Sequence, residues 1–382
     1  MPIGRAGDEV RGVDFAPAES QLAVARAAAG VLSQGPLPDP VSEGTGPAPR
    51  GSDLWAKLGR AGILSLAIPA WLGGDGLGVL DVGAALTEVG RRAVPLPALA
   101  TLVLGVLPVA RHAGRDQQRA LLAGIAAGDT VLTAALREPS EPRPAAPATV
   151  ARLNGGPGTV SGVKVGVPYA AAAAWILVPA SIDTGGTGVV IVDPAARGVS
   201  LVRTPAAGPE PEYTLRLDDA PVSYLLGEEK GGRAVADLYQ LAVAGACCVA
   251  DGAVAAALAL TTSHVRSRQQ FGRPLAAFQA VAQQVADVYI AARTLHLTAL
   301  SACWRLEAGR EAGPDLDVAA YWLAQEAPAA LRTCQHLHGG LGMDISYPLH
   351  RYSALVKDLV RFVGGADYSL DRIAATEGDY VP

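Results

Sequence analysis

The segment R-S-R-Q-Q-F-G-R-P-L-A-A-F-Q, residues 266–279, gathers Arg266, Arg268 and Arg273 around Phe271 at a break between two long helical patterns. Guanidinium groups present a planar fork of donors that grips phosphate oxygens, and an aromatic side chain can cover a flat ring. Such a cluster can hold a phosphate-bearing ligand, although exposed arginines at helix ends are commonly just solvated. A second cluster follows at 335–340, Q-H-L-H-G-G. His336 and His338 stand two apart, so on a helix they point to different faces and cannot share a metal. No cysteine or carboxylate cluster completes a metal site there, but Gly339 and Gly340 allow the main chain to approach a ligand closely. A third candidate, G-G-D-G-L-G at 73–78, has neither the preceding strand nor the following Lys-Ser/Thr of a phosphate loop and reads as a tight turn.

The elements that must position these residues fall into three textures. Residues 1–130 read as an N-terminal helical domain, with apolar residues at three-to-four spacing in LWAKLGRAGIL and VGAALTEVGRR. Ser52-Asp53 offers an N-cap, and the Pro/Gly-rich stretch 35–52 is a loop. Residues 131–230 shorten into β-prone runs (VLTAAL, GTVSGVKVGV, AWILVPA, GVVIVD, GVSLVR, YTLRL) separated by Gly, Pro and Asp, the pattern of a small sheet or barrel. EPSEPRPAAPA, with its four prolines, cannot be regular structure. Residues 231–382 return to helices at 234–267, 276–311, 316–339 and 346–376, the last two divided by GGLGMD. This segregation predicts an α+β fold with a β domain inserted between two helical ones.

Composition narrows the function classes. The chain has 382 residues, half of them hydrophobic and 18% charged, with a net charge of −5. That balance fits a soluble protein with a large core and argues against nucleic acid, whose recognition needs clustered cations. Cys247, Cys248, Cys303 and Cys334 have no C-x-x-C spacing and are expected to pack as reduced hydrophobes. The apolar run Leu241–Leu260 carries Asp251 in its middle, so a buried core helix is expected in place of a membrane span. The first residues contain no apolar export segment, and a cytoplasmic location is expected.

R-x-R-Q-Q-F-G-R-P-L-x-x-F-Q resembles the signature that acyl-CoA dehydrogenases carry between two C-terminal helices. LWAKLGRAGILSLAIPAWLGGDGLG, ALTEVGRR and VPLPALA are similar to the family's N-terminal helical domain, and QHLHGGLGMDISYPLHRY to its late helix and glycine loop. The resemblance implies a middle β domain and a C-terminal four-helix bundle, FAD as cofactor, acyl-CoA substrates, dimers or tetramers, and electron-transfer flavoprotein as acceptor. By the same resemblance Arg268, Gln270, Phe271, Gln279, Gly339 and Gly340 match positions that hold the adenosine-diphosphate half of an FAD bound mainly by the neighbouring subunit. His336 stands where the family usually has Gln and can still form a hydrogen bond.

Other parts of the family pattern are missing. Dehydrogenation needs a carboxylate that removes the α-proton while the β-hydrogen leaves as hydride to the flavin. The family's Glu position is occupied here by Val363 or Gly364, and the alternative position on the preceding helix falls near Ala242. The Thr-Glu-Pro…Gly-Ser-Asp loop reads Arg137-Glu138-Pro139-Ser140-Glu141-Pro142, the flavin platform aligns with Gly166-Val167-Pro168, and the substrate Arg with Val243. The chain is therefore expected to be the non-catalytic subunit of a heteromeric, α2β2 acyl-CoA dehydrogenase, completing the FAD site of a catalytic sister chain. Its style resembles actinobacterial paired dehydrogenases, some of which act on steroid side-chain thioesters. Two alternatives stay open: an active homo-oligomer with a displaced base (Asp367, Asp251 or Glu228/Glu229), and a flavin-dependent hydroxylase or flavin-free scaffold of the same fold.

Overall fold

The computed structural model describes residues 15–34, 53–153, 158–227 and 232–378. The loop 35–52 with its Ser52 cap, and the candidates Glu228 and Glu229, lie outside the described residues. Helices α1 (Glu19–Leu32), α2 (Asp53–Arg60) and α3 (Val79–Arg92) lead to a π-helical stretch, Leu99–Val106, then to α4 (Leu107–His112) and α5 (Arg115–Leu121). On α3 the buried Val79, Val82, Leu86 and Val89 recur every three or four residues, which makes one apolar stripe facing the core. A side chain at Gly90 would run into the Val249 carbonyl, so the missing Cβ lets α3 lie directly on the backbone of the central helix. The 73–78 segment is a turn in which Gly73 (φ +85°) and Gly76 (φ +64°) take left-handed conformations.

Among the described residues eight strands form the middle layer: β1 (Leu132–Ala134), β2 (Val150–Arg152), β3 (Thr159–Pro168), β4 (Trp175–Ile182), β5 (Thr187–Val192), β6 (Val199–Thr204), β7 (Glu212–Pro221) and β8 (Tyr224–Leu226). Their order is β6-β7-β3-β2-β4-β5-β8, with β1 parallel to β4. The sequence did not reveal β2 and β8, because three residues are too few to show an alternation.

The C-terminal part begins with α6 (Arg233–Ser267), then a hairpin of β9 (Gln269–Gln270) and β10 (Arg273–Pro274), and α7 (Gln279–Glu307). It continues through α8 (Gly313–Tyr321), α9 (Ala327–His338), α10 (Leu349–Val363) and α11 (Ala366–Gly378). Helix α6 is the apolar helix flagged in the sequence. Its most apolar window, of mean hydropathy 2.0, is 83% buried inside the protein. All four cysteines are free and buried. The single helix expected over 346–376 is instead two: Gly364 (φ +103°) and Gly365 (φ +91°) end α10, because two successive left-handed residues cannot continue an α-helix.

Candidate functional site

The residues matched to cofactor binding lie on one exposed edge of the C-terminal layer. Arg268, Gln270, Phe271, Arg273 and Gln279 are all exposed, as are His336, Gly339 and Gly340. The chain turns at Phe271 (φ +53°) and Gly272 (φ +76°), the paired positive φ values of a tight hairpin turn. Such a conformation strains any residue with a Cβ, and here it holds a phenylalanine 92% exposed. Arg273 stacks over Phe278 at 4.1 Å, and Phe278 meets Phe271 edge to face at 6.2 Å. Met343 (79%) and Ile345 (56%) extend the same edge beyond the glycine loop. A strained, solvent-facing aromatic beside arginines is an arrangement for covering and gripping something outside this chain.

The two segments of that edge are joined by histidines whose part the sequence did not reveal. His336 points to solvent, while His338 is only 5% exposed. The His338 ring stacks on His264 of α6 at 4.4 Å. It also pairs through Nδ1 with the Cys334 carbonyl (2.8 Å) and through Nε2 with the Tyr347 hydroxyl (3.1 Å). Burial, then His338 and Arg268, hold the His264 imidazole below the usual histidine range. His264 and His338 lie 74 positions apart (338 − 264), so no local spacing signals their stack.

The inner seat, where the resemblance places a flavin platform, is lined by charged groups. Arg361 of α10 grips Glu212 of β7 in a bidentate pair (2.7 and 2.9 Å) and also reaches Asp358 (2.9 Å). A Cβ at Gly166 would stand 3.1 Å from the Arg137 guanidinium and 3.3 Å from the Glu212 carboxylate. The space over the platform therefore holds an ion cluster. Burial lowers Arg137, and it raises Glu212 against the pull of Arg361. The loop 139–149 is anchored by Glu138, which accepts from the Ala148 N–H (2.7 Å), the Thr149 N–H (2.9 Å) and hydroxyl (2.7 Å), and the wholly buried Lys164 (2.8 Å). Burial pushes the Glu138 carboxyl up, but these donors outweigh it and it ends below the usual range. Arg143 fixes the loop's far side, bonded to Asp317 (3.3 Å) and lying over Tyr368 at 5.2 Å.

That loop packs against residues 363–364. Val363 is 1% exposed within the main core. A side chain at Gly364 would come within 2.7 Å of Tyr368 and 2.8 Å of Pro142. The displaced-base candidates are elsewhere: Asp367 is exposed on the first turn of α11, and Asp251 is buried on α6 against His296 (2.9 Å). Val243, at the substrate-arginine position, is 1% exposed. Two residues on from it, Gly245 lets Leu99 and Val103 pack directly on α6. FAD therefore fits this chain at the exposed edge, which presents donors and a ring suited to a nucleotide, while at the inner seat the Arg361–Glu212 pair stands beside Gly166. Among the described residues no group of three His, Cys, Asp or Glu could hold a metal.

Comparison with known proteins fits this geometry. Residues 36–129 match the acyl-CoA dehydrogenase N-terminal domain and residues 232–376 its C-terminal domain. Acyl-CoA dehydrogenase FadE28 of Mycobacterium tuberculosis is 44% identical over 366 residues, covering 95% of this chain and 98% of FadE28. The ChsE4–ChsE5 complex of M. tuberculosis aligns with a TM-score of 0.87 and 31% identity, covering 97% of this chain and 100% of that one. The Tcur3481–Tcur3483 steroid acyl-CoA dehydrogenase aligns at 0.84 and 33%, covering 95% and 99%. The same fold at 21% identity, with a TM-score of 0.82 and coverage of 95% of each chain, is seen in a glutaryl-CoA dehydrogenase of M. smegmatis solved with FADH2. Motifs, layer order and overall likeness agree, and this chain belongs to the acyl-CoA dehydrogenase family.

Proposed function

We propose that this chain is the non-catalytic subunit of a heteromeric, FAD-dependent acyl-CoA dehydrogenase. The supporting observation is the contrast within one chain between the exposed arginine and aromatic edge at 268–279 and an inner region where Arg361 pairs with Glu212 and Pro142 packs against Gly364. In this reading the Arg268 guanidinium and the Gln270 amide bind the phosphates and ribose of a cofactor seated in a sister chain. Phe271 excludes water from it, and Gly339 and Gly340 let the main chain come close. The chemistry FAD supplies when bound is acceptance of the hydride from the β-carbon. The base that removes the α-proton, and the thioester site, belong to the sister chain, since Val363 and Gly364 can take no proton. An α2β2 assembly, a bulky acyl group such as a steroid side chain, and electron-transfer flavoprotein as acceptor complete the proposal. The test is to purify the chain alone and with a homologue that retains the Glu, comparing visible flavin absorbance and turnover of a bulky acyl-CoA. The lone chain is expected to be flavin-poor and inactive, and the pair to carry one flavin for each two unlike chains. Full flavin and turnover from the lone chain would sink the proposal.

A further inference from the structure

Three helices converge on a pair of sulfurs far from the cofactor edge. Cys248 of α6 and Cys303 of α7 bring their Sγ atoms to 3.5 Å, a contact in which either thiol can donate. Both side chains belong to the main core, 6% and 2% exposed. The third wall is Gly83 of α3, where a Cβ would stand 3.1 Å from the Cys248 sulfur and 3.7 Å from the Cys303 sulfur. The missing Cβ lets the two sulfurs sit against the α3 backbone while they touch each other.

The pairing is specific to these two cysteines. Cys247 is next to Cys248 in the chain, and successive residues of a helix do not face each other. Cys334 of α9 instead meets Thr261. A disulfide needs its sulfurs about 2.05 Å apart, which leaves the pair a gap of about 1.5 Å, or about 0.7 Å for each sulfur. That is comparable to the thermal displacement of a well-ordered atom, roughly 0.5–0.9 Å. The hydrogen bond with Cys303, then burial, push the Cys248 thiol well above its usual range. The pair therefore rests reduced, and burial keeps bulky or charged reagents away from it.

We infer that Cys248 and Cys303 form a peroxide-sensitive dithiol that closes to a disulfide between α6 and α7. In the first step one sulfur gives up its proton and attacks an oxygen of hydrogen peroxide. The O–O bond breaks, water leaves and a sulfenic acid forms. The second sulfur then attacks the sulfenic sulfur, the S–O bond breaks, and a second water leaves. Two thiols thus lose two electrons to one hydrogen peroxide, which is reduced to two waters. The new bond closes a loop that contains the whole β9–β10 hairpin, whose two feet are α6 and α7. Restricting that loop in the unfolded chain stabilises the folded one. The inference stands apart from the flavin reading, because it uses no residue of the cofactor edge.

The test uses the full chain, purified reduced and exposed to hydrogen peroxide in its folded state. Catalase ends the reaction, free thiols are blocked with N-ethylmaleimide in denaturant, and peptides are mapped by mass spectrometry without reduction. Two of the four thiols should be lost, a linked Cys248–Cys303 peptide should appear, and dithiothreitol should reverse both changes. The denaturant midpoint should rise on oxidation and fall back on reduction. Oxidised glutathione, which is bulky and charged, should leave the folded chain unreacted. Cys248→Ala and Cys303→Ala should each abolish the linked peptide and the midpoint rise, whereas Cys247→Ala and Cys334→Ala should keep both. The wild-type peptide map decides the point even where a variant melts early. The inference is overturned if the linked peptide never forms, if Cys247 or Cys334 is oxidised first, or if the link joins two chains.

Discussion

Two regions of this molecule, both matched to flavin handling, have opposite physical characters. The outer edge at 268–279 and 336–345 keeps an aromatic ring, several cations and two glycines in solvent, and even holds Phe271 in a strained conformation to do so. The inner seat at 137–143, 166, 212 and 361–364 turns its charged groups on its own neighbours, Glu138 to Lys164, Glu212 to Arg361 and Arg143 to Asp317. An edge whose groups face outward is suited to a partner, and a seat whose groups bond one another is suited to stability. Pro142 packs where a side chain at Gly364 would stand, and the Arg361–Glu212 pair lies beside Gly166.

The largest expected effect comes from breaking the inner seat. Lys164→Met strands the buried Glu138 carboxylate and should cost about 3–5 kcal/mol, seen as an earlier denaturant midpoint. Arg268→Ala on the outer edge should do the reverse: chemical denaturation unchanged, and FAD held about ten- to a hundredfold more weakly by the complex with a sister chain. If denaturation shifts and flavin affinity does not, the division between the regions is wrong. Phe271→Gly removes a strained left-handed residue, so the lone chain should gain about 1 kcal/mol while flavin retention by the pair falls.

Acidification should separate the regions more gently. Glu138 has a folded-state value below its ordinary one, so its contribution is present above the ordinary carboxylate range and is lost as pH falls through the lowered value. His264 is also lowered, so the folded edge favours its neutral form and loosens as pH falls below the ordinary 6.5. Flavin release from the complex is therefore expected at a milder pH than unfolding. His264→Tyr should flatten the first transition and leave the second, as followed by flavin fluorescence and circular dichroism.

Much of the fold was legible because it rests on periodicity. Stripes at three-to-four spacing on α3 and short β-prone runs between 131 and 217 need only local sequence to be recognised. The break at Gly364–Gly365 was not, since an apolar face continues on both sides of it. Strands β2 and β8 were also missed, being too short to alternate. In the site, the exposed hairpin was visible as a contiguous motif, and the residue types at 363–364 could be read directly. What packs around the inner region could not: Pro142 meets Gly364 across more than half the chain, and Glu212 meets Arg361 from 149 residues away.

By itself, then, the sequence determined the order of layers, the arginine and aromatic hairpin motif and the absence of a titratable side chain at 363–364, because each depends on residue type and near-neighbour spacing. Only the tertiary structure decided that Arg361 pairs with Glu212 beside Gly166, that Pro142 packs against Gly364, and that His338 and not His336 stacks on His264. Those outcomes depend on burial and on contacts between residues remote in the chain, where a side chain's chemistry is set by what packs against it.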